Sequence, residues 1–476
     1  MHSLFRNGRL FTSLLSAALV LSACAPAAPA ATETDPLAIA AVPQTYVTEP
    51  APVFLDPAGS VTELASAVYP SIPPYPEAVP GKDFDQSQWN KDYDRWAAAI
   101  AAQKRDPAYK AGLEGFWNVV IQTWLTASPG ENKVISPVNI YLSLGILGQI
   151  TGGTTQAQIL SRLGEDMPEH LRFRMHDLCS AQYLGEGPAT QILANSLWLN
   201  ESLPYRQELL EDLAYCAMTS SFLGTPGSVQ MDEAFQDWIN TQTGGLLADS
   251  VKDLHLSPNL AVALASTVRY QAKWSDAFDP ARTGVQTFYG ETETQVSFLH
   301  GDLIQPIYQS PVFTALSLGM KSGGGSLLLF LPGPGMTPEQ LAVHPELAIF
   351  LQNPAPFASV PPQIIHFAMP KFEITSDTDL SEGLQKMGIT EVFSTAADFT
   401  PLIANHVPAA LTEAKHAVRF AADEEGVTAA SYVEMQMAGA GRPPEQEVDF
   451  VLDRPFLFVL KSNDGLPLFA GIVNNP

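Results

Sequence analysis

Apolar and polar positions in the first part of the chain repeat mainly with helical spacing. In "FDQSQWNKDYDRWAAAIAAQKR", Trp89, Tyr93, Trp96 and Ile100 fall on one face, which predicts an amphipathic helix. A second helix is predicted where the main body starts, near residue 112. Its apolar positions follow the same three- and four-residue spacing at Leu113, Phe116, Trp117, Val120, Ile121, Trp124 and Leu125.

The later part of the chain has a different pattern, with short β-branched or aromatic runs punctuated by Gly and Pro. Such runs predict strands. They include "LAVALASTVRY", "SLLLFLPGP", "QIIHFAMPKFEI", "VDFVLDRPFLFVLK" and "PLFAGIVNN". Because helices dominate first and strands later, without regular alternation, the pattern indicates an α+β fold rather than repeated βαβ units.

One segment near the C-terminus carries features of both a loop and a strand. From residue 427 onwards, "VTAASYVEMQMA" alternates by parity: one set is small or apolar, and the other holds the charged and amide side chains. The following "GAGRPPEQ" is typical of an exposed loop. A loop that is always in solvent has no reason to alternate its residues in this way. An ordinary edge strand would also show this alternation and is the alternative interpretation.

Composition and charge limit the classes of molecule that this protein is expected to bind. The 476 residues are 46% hydrophobic, which suits a large folded core, and the formal net charge is −25. Such an acidic surface repels nucleic acid and anionic headgroups, so no nucleic-acid partner and no polyanion cofactor are expected.

The N-terminus has the character of an export signal. Arg6 and Arg9 precede the apolar run "LFTSLLSAALVLSAC", which is short for a transmembrane helix but suits a signal peptide. The run ends in "LSAC", which resembles the lipobox of bacterial lipoproteins, in which Cys24 carries lipid after cleavage. An ordinary signal peptide with an incidental Cys is the alternative. We expect a signal peptide over 1–23, an Ala/Pro/Thr-rich spacer over 24–81 and a helical extension over 82–111.

Motifs for catalysis are missing. The chain has no G-x-S-x-G, H-E-x-x-H, G-x-x-x-x-G-K-[ST] or paired C-x-x-C sequence, so neither a hydrolase nor a cofactor or metal enzyme is favoured. Besides Cys24, the chain has two cysteines, Cys179 and Cys216. They are expected to be buried thiols, with a single disulfide as the alternative.

Several segments, taken in order from 112 to 476, resemble the serpin family. They include "NKVISPVNIYLSLGILGQITGGTTQAQIL", "LANSLWL", "WINTQTGGLL", "MPKF", "DRPFLFVL" and "LFAGIVNNP". The resemblance implies a serpin domain over 112–476 with α+β architecture. N-terminal helices, a large central mixed sheet, further sheets and an exposed reactive-centre loop over 424–446 are expected.

In serpins this loop is bait for a protease and inserts into the central sheet as a strand after cleavage. The resemblance therefore implies that the parity-sorted segment is a loop before cleavage and a strand afterwards. It places the hinge of the loop at Glu424, Glu425, Gly426, Val427, Thr428, Ala429 and Ala430. Val427 departs from the usual Thr or Ser, but it is uncharged and β-prone, so insertion is still expected.

The family's spacing from Glu424 places the reactive bond at Ala440–Gly441. A small residue before the bond suits an elastase-like or subtilisin-like serine protease, with a cysteine protease as an alternative target. Arg442 would suit a trypsin-like enzyme, but Pro443 follows it, and an Arg-Pro bond lacks the amide N–H that cleavage normally needs.

Other family positions carry supporting roles. Glu424 and Lys371 occupy the positions of a salt bridge at the breach, the top of the sheet where the loop enters. Below it lies the shutter, a polar cluster under the opening strands, which by resemblance comprises Ser136, Asn139 and His416. Ser266 stands where Asn is frequent in the family.

The sequence thus predicts an exported, lipid-anchored, monomeric inhibitor of serine proteases on a bacterial surface. The alternative is a non-inhibitory surface lipoprotein with the same fold that binds a ligand or partner. Charge, Pro or bulk at the inward hinge positions would favour that alternative, and none is present.

Overall fold

The computed structural model describes residues 18–23, 61–76, 84–185, 187–359, 361–427 and 446–476. Cys24, the hinge residues Thr428–Ala430 and the Ala440–Gly441 bond lie outside this part of the chain. The helices are α1 Gln86–Ala102, α2 Leu113–Leu125, α3 Pro137–Ile150, α4 Gly153–Leu163, α5 Pro168–Gln182, α6 Gln207–Cys216, α7 Val229–Gln242, α8 Ala248–Val251, α9 Pro338–Ala342, α10 Pro345–Gln352 and α11 Ser381–Lys386.

The strands form three sheets. They are β1 Ala18–Ala23, β2 Val61–Ala65, β3 Lys133–Ile135, β4 Ala189–Asn200, β5 Thr219–Gly224, β6 Leu260–Lys273, β7 Gly284–Tyr289, β8 Glu293–Gln305, β9 Tyr308–Gln309, β10 Phe313–Gly319, β11 Ser326–Pro332, β12 Gln363–Pro370, β13 Phe372–Asp379, β14 Ala409–Ala422, β15 Gly426–Val427, β16 Glu447–Val451, β17 Phe456–Lys461 and β18 Pro467–Val473. Helices precede most strands along the chain, and the α+β class is confirmed.

Among the described residues, the central sheet has eight strands. β13 pairs with β14, and β6, β4, β5 and β2 follow one another on the other side. Between β14 and β6 lie two short strands, β15 and β1, each of which pairs with both neighbours. The second sheet runs β3-β18-β17-β11-β10-β9, and the third runs β16-β12-β8-β7.

Helix α3 lies at the centre of the domain, and every one of its residues is buried. It begins where Ser136 caps the backbone N–H of Asn139 and Pro137 occupies the first turn, both typical of helix starts. A helix that is apolar all round must lie inside the protein. Here it packs against β18 on one side and β6 on the other.

Two N-terminal segments pair with the central sheet. Residues 61–76, inside the expected spacer over 24–81, pack on the domain, where β2 pairs with the edge strand β5. Ala18–Ala23, inside the expected leader, form strand β1 of the central sheet. Within the described ranges, no helix is long and apolar enough to span a bilayer. Cys179 and Cys216 are both free and buried, and burial raises the pKa of both thiols, that of Cys216 to about 12.

Candidate functional site: the gap in the central sheet

Strands β6 and β14 flank a gap rather than pairing with each other. At its upper end Val427 of β15 lies opposite Ala422 on one side and Ala272 on the other. At its lower end Ala18 of β1 lies opposite Lys415 and Ala265. Because β15 and β1 are antiparallel to both neighbours, β6 and β14 run in the same direction.

The two short strands occupy one continuous register. Ala272 and Ala265 are seven residues apart on β6, and Ala422 and Lys415 are seven apart on β14. A strand that continued from Val427 without a bulge would therefore place residue 434 opposite the partners that Ala18 has. Six residue levels lie between, and within the described chain no strand fills them.

The first hinge residues are fixed by a tight turn at Asp423. Its carboxylate Oδ1 accepts the backbone N–H groups of Glu425 (2.9 Å) and Gly426 (3.2 Å), and its own N–H donates to the carbonyl of Gly426 (3.0 Å). A Cβ atom at Gly426 would lie 2.1 Å from the carbonyl oxygen of Ala272. Only glycine allows the loop to approach β6 this closely.

Glu424 and Lys371 lie together at the top of this gap. Lys371 Nζ is 2.7 Å from the Glu424 carboxylate, and the Thr283 hydroxyl donates to its other oxygen at 2.9 Å. Burial alone would raise the pKa of Glu424, but the hydrogen bonds from Lys371, Thr283 and the backbone hold that pKa below its usual range. The carboxylate is therefore charged at neutral pH.

Trp274, the residue after β6, holds the same turn from the other side. Its indole N–H donates to the carbonyl of Asp423 (2.8 Å), and its backbone N–H donates to that of Glu425 (3.0 Å). Asp423, Thr283 and Trp274 are site residues that the sequence did not predict. An Asp three residues before a Gly is a turn signal that could have identified Asp423, whereas the other two contacts depend on the tertiary fold.

The predicted shutter residues come together at the lower end of the gap, one residue level above β1. The Ser136 backbone N–H donates to His416 Nε2 (2.9 Å), and the Asn139 amide donates to the carbonyl of Ser266 (3.0 Å). His416 is fully buried, and this burial lowers its pKa to about 3. Because Nε2 accepts a hydrogen bond, the ring is neutral and carries its proton on Nδ1.

The register places Ser266 and His416 at the same level on opposite sides of the gap. His416 Nδ1, Ser266 Oγ and Asn139 Oδ1 are buried without a hydrogen-bond partner among the described residues. A small cavity lies above them. It is lined by Val268 and Val418, which face each other across the gap two residue levels higher. The buried polar groups at the lower end of the gap are therefore less completely hydrogen-bonded than is usual in a protein core.

The two faces of the gap differ in chemistry. On the face toward the second sheet, the rings of Tyr270 and Phe420 both pack against Phe469, with centroids 6.4 and 5.9 Å away. On the face toward α7 lie Arg269 and Arg419, and Arg419 forms a bidentate ion pair with Glu373 at 2.8 and 2.9 Å. An incoming strand would meet aromatic rings on one side and guanidinium groups on the other.

The far end of the loop is held by the third sheet. The Gln446 carbonyl accepts the Ile364 backbone N–H at 2.9 Å, and β16 then pairs with β12 alone. On the exposed surface His366 bridges Asp302 (2.9 Å) and Glu447 (3.4 Å), and hydrogen bonds to these carboxylates raise the pKa of His366. The two ends of the loop are thus anchored on different sheets.

A large sheet with a strand-wide gap, and a chain segment starting into that gap in register, define the serpin architecture. The family description that matches residues 116–476 is "Serpin (serine protease inhibitor)". This match covers most of the chain, which therefore belongs to the serpin family, whose members are in general protease inhibitors rather than enzymes.

Individual proteins that are similar to this chain in sequence or in structure are also serpins or share their fold. Serpin-Z1C of Triticum aestivum is 27% identical over 373 residues, covering 73% of this chain and 91% of that protein. Human thyroxine-binding globulin, solved with thyroxine, is similar in fold with a TM-score of 0.68 at 22% identity, covering 78% of this chain and 100% of that one. The thermophilic serpin Tengpin in its native state gives a TM-score of 0.68 at 18% identity, covering 88% of this chain and 100% of that one.

Proposed function

We propose that this protein is a suicide-substrate inhibitor of serine proteases. A protease attacks the loop at Ala440–Gly441 and forms an acyl-enzyme, and the freed loop then inserts between β6 and β14 before the ester is hydrolysed. The observation that carries the proposal is the shared register of the gap, because β15 already starts a strand that both neighbours can continue. The hinge is Glu424–Ala430, with breach and shutter roles for Glu424–Lys371 and for Ser136, Asn139 and His416.

The loop sequence fits the two faces of the gap. Counting from Val427, residue 429 reaches the level of Tyr270 and Phe420, where the small apolar side chain of Ala429 would lie between two buried rings. Residue 433 reaches the level of His416 and Ser266. The opposite face would receive Thr428, Ala430 and Tyr432, which face α7 and the guanidinium groups. The alternation in the loop thus matches the sheet that it is expected to join.

The target is expected to prefer a small residue before the cleaved bond. Ala440 suits elastase-like or subtilisin-like serine proteases, and a cysteine protease of similar preference remains the alternative. A strand of about twelve residues spans roughly 40 Å, so a protease attached at Ala440 would be carried across the molecule. The chain itself supplies no catalytic group and needs no cofactor.

Incubation with a panel of elastase-like, subtilisin-like, trypsin-like and cysteine proteases tests the proposal. We expect a complex that survives boiling in detergent. We also expect a released C-terminal peptide whose mass shows that it begins at Gly441. A peptide that begins at Pro443 would reassign the reactive bond to Arg442. Complete cleavage without any stable complex, by every protease that cuts the loop, would refute inhibition.

Export and lipid attachment form a separate part of the proposal. The apolar run followed by "LSAC" supports cleavage before Cys24 and lipidation of its thiol, so the mature protein would be a monomer tethered to a bacterial membrane. Detergent-phase partitioning of the protein made in a bacterium tests this. Wild type should enter the detergent phase and Cys24→Ala should not, and equal partitioning would refute the anchor.

A second candidate function, binding of a small ligand without protease trapping, is supported by one cavity. A partly open cavity of about 210 Å³ lies between α2, α10 and the turn from β17 to β18, lined by Trp117, Ile121, Leu351 and Lys461 among others. Burial lowers the pKa of Lys461 to about 8, with Lys110 adding to the shift. An aromatic wall beside a buried cation suits an apolar ligand with an acidic group, and a similar structure is that of thyroxine-binding globulin.

A further inference from the structure

The outer face of the third sheet lies beside the fixed end of the reactive-centre loop. Three neighbouring strands contribute two side chains each to this face, and we call the six together the outer patch. They are Asp302 and Ile304 of β8, Ile364 and His366 of β12, and Glu447 and Asp449 of β16. The residues that alternate with them, Leu303, Ile365 and Val448, pack against the core instead. The outer patch is therefore one continuous surface across three strands.

The outer patch has an apolar centre. Ile304 is 64% exposed and lies directly opposite Ile364, which is half-buried. A single exposed Ile is common at protein surfaces, but two of them side by side across a strand pair leave a larger apolar area in water. A partner that covers both side chains removes this area from water, which favours binding.

The rim of the outer patch is acidic. Glu447 and Asp449 are both exposed. The charge of Asp302 is offset by Arg282, whose guanidinium lies 3.0 Å away, and His366 lies between Asp302 and Glu447. Asp449 forms no ion pair within the described part of the chain. An apolar centre with a charged rim is the usual composition of a protein–protein contact.

The length of the loop brings a bound protease to this patch. Gln446 is fixed beside β12, since its carbonyl accepts the Ile364 N–H at 2.9 Å and its side-chain oxygen accepts the Gln363 amide at 2.9 Å. The chain from Gly441 to Gln446 has five residue steps. At about 3.6 Å per step these span at most roughly 18 Å. A protease domain of about 220 residues has a radius of gyration of roughly 17 Å, so its diameter exceeds that reach. A protease whose cleft holds the Ala440–Gly441 bond is therefore within contact distance of the outer patch.

Charge indicates which proteases fit this surface. The chain has a formal net charge of −25, and Glu447 and Asp449 keep the outer patch acidic, so a second copy of this chain is repelled. A basic partner is attracted instead, and such complementarity acts mainly on the rate of association. We propose that the outer patch is a docking surface for the target protease, and that this protease carries a basic surface beside its active-site cleft. The contact selects among proteases that share the preference for Ala440.

This inference rests on the proposed function, and its test separates docking from trapping. Docking is measured between the intact protein and an elastase-like protease with a basic surface, whose catalytic Ser is replaced by Ala so that no acyl-enzyme forms. Asp449→Lys should lower the association rate constant at least about fivefold at low ionic strength. The factor should shrink at 1 M salt, where the Debye length is about 3 Å, and Asp449→Asn should have a smaller effect in the same direction. Ile304→Ser should speed dissociation about threefold at both salt concentrations, because an apolar contact is not screened. With the active protease, the stoichiometry of inhibition should stay at the wild-type value, because loop insertion is unchanged.

Two variants outside the third sheet are matched controls. Glu169→Lys makes the same change of charge at an exposed position of α5, and Ile349→Ser removes an Ile that is 55% exposed on α10. Both should keep the wild-type rate constants, and the melting temperature of each variant checks that it is folded. Equal changes in the patch variants and their controls would overturn the docking surface, even where covalent complexes form normally. Wild-type protein that binds the inactive protease but never traps an active one would instead refute the proposed function alone.

Discussion

Replacing Ala429 by Asp tests the predicted fit of the loop most sharply. In the inserted state residue 429 would lie between Tyr270 and Phe420, which are 4% and 2% exposed. Phe420 has no hydrogen-bond donor, and the Tyr270 hydroxyl already donates to the carbonyl of Gly324, so the new carboxyl group must be protonated or buried as an unpaired charge. At pH 7.4, protonating a carboxyl of ordinary pKa 3.9 costs about 5 kcal/mol. If half of this is felt in the transition state, insertion slows roughly 60-fold.

The assay is the stoichiometry of inhibition, measured by titrating a fixed amount of elastase-like protease and resolving the products in detergent. Wild type should give mainly stable complex, and Ala429→Asp mainly cleaved inhibitor and active protease. Ala430→Asp is the matched control, because the register places residue 430 between Arg269 and Arg419 on the other face. It should remain an inhibitor. Equal behaviour of the two variants, in either direction, would refute the register.

Three further predictions concern the two ends of the gap. Glu424→Gln should lower the melting temperature of the uncleaved form by loss of the Lys371 ion pair, a cost of about 1 kcal/mol at this half-buried site, and differential scanning fluorimetry against Lys371→Met checks it. The pKa of His416 is about 3 in the folded protein and about 6.5 in the unfolded chain. The contribution of the neutral ring to folding stability is therefore fully present above pH 6.5 and falls by up to about 1.4 kcal/mol per pH unit below it. His416→Gln should flatten the dependence of the melting temperature on pH between pH 6.5 and 5, and an unchanged slope would contradict this. A protein that keeps Ala18–Ala23 should form protease complexes more slowly than one that begins at residue 25. The reason is that β1 occupies positions between β6 and β14 that the inserting loop needs. Equal rates of complex formation would exclude this competition.

The periodicity of apolar residues in the sequence is sufficient to predict the fold class and most of the helices and strands that form the core. Helix α2 and strands such as β6 and β17 bury the residues whose spacing predicts them, because a core-facing stripe is a local property of the chain. Motifs in order along the chain then identify the family. The prediction that Glu424 and Lys371 share a site came from the resemblance to the family and not from a local pattern.

Pairings that depend on a distant partner were not predictable in this way. Val61–Ala65 has an unremarkable sequence, and it is a strand because β5 offers an unpaired edge. The roles of Thr283 and Trp274 follow from contacts across more than a hundred residues. The level of each loop residue in the gap depends on the register of β15 between β6 and β14, which only the folded sheet defines.

Thermal melting of the protein before and after a single nick in the reactive-centre loop measures whether the sheet accepts the loop. Nicking is expected to raise the melting temperature by at least about 10 °C, because the inserted loop completes the central sheet. For a domain of roughly 360 residues, at about 2 cal/mol/K per residue, this corresponds to about 7 kcal/mol of added stability. A nicked protein that melts at the temperature of the intact one, with residues 428–440 still open to further proteolysis, would contradict it.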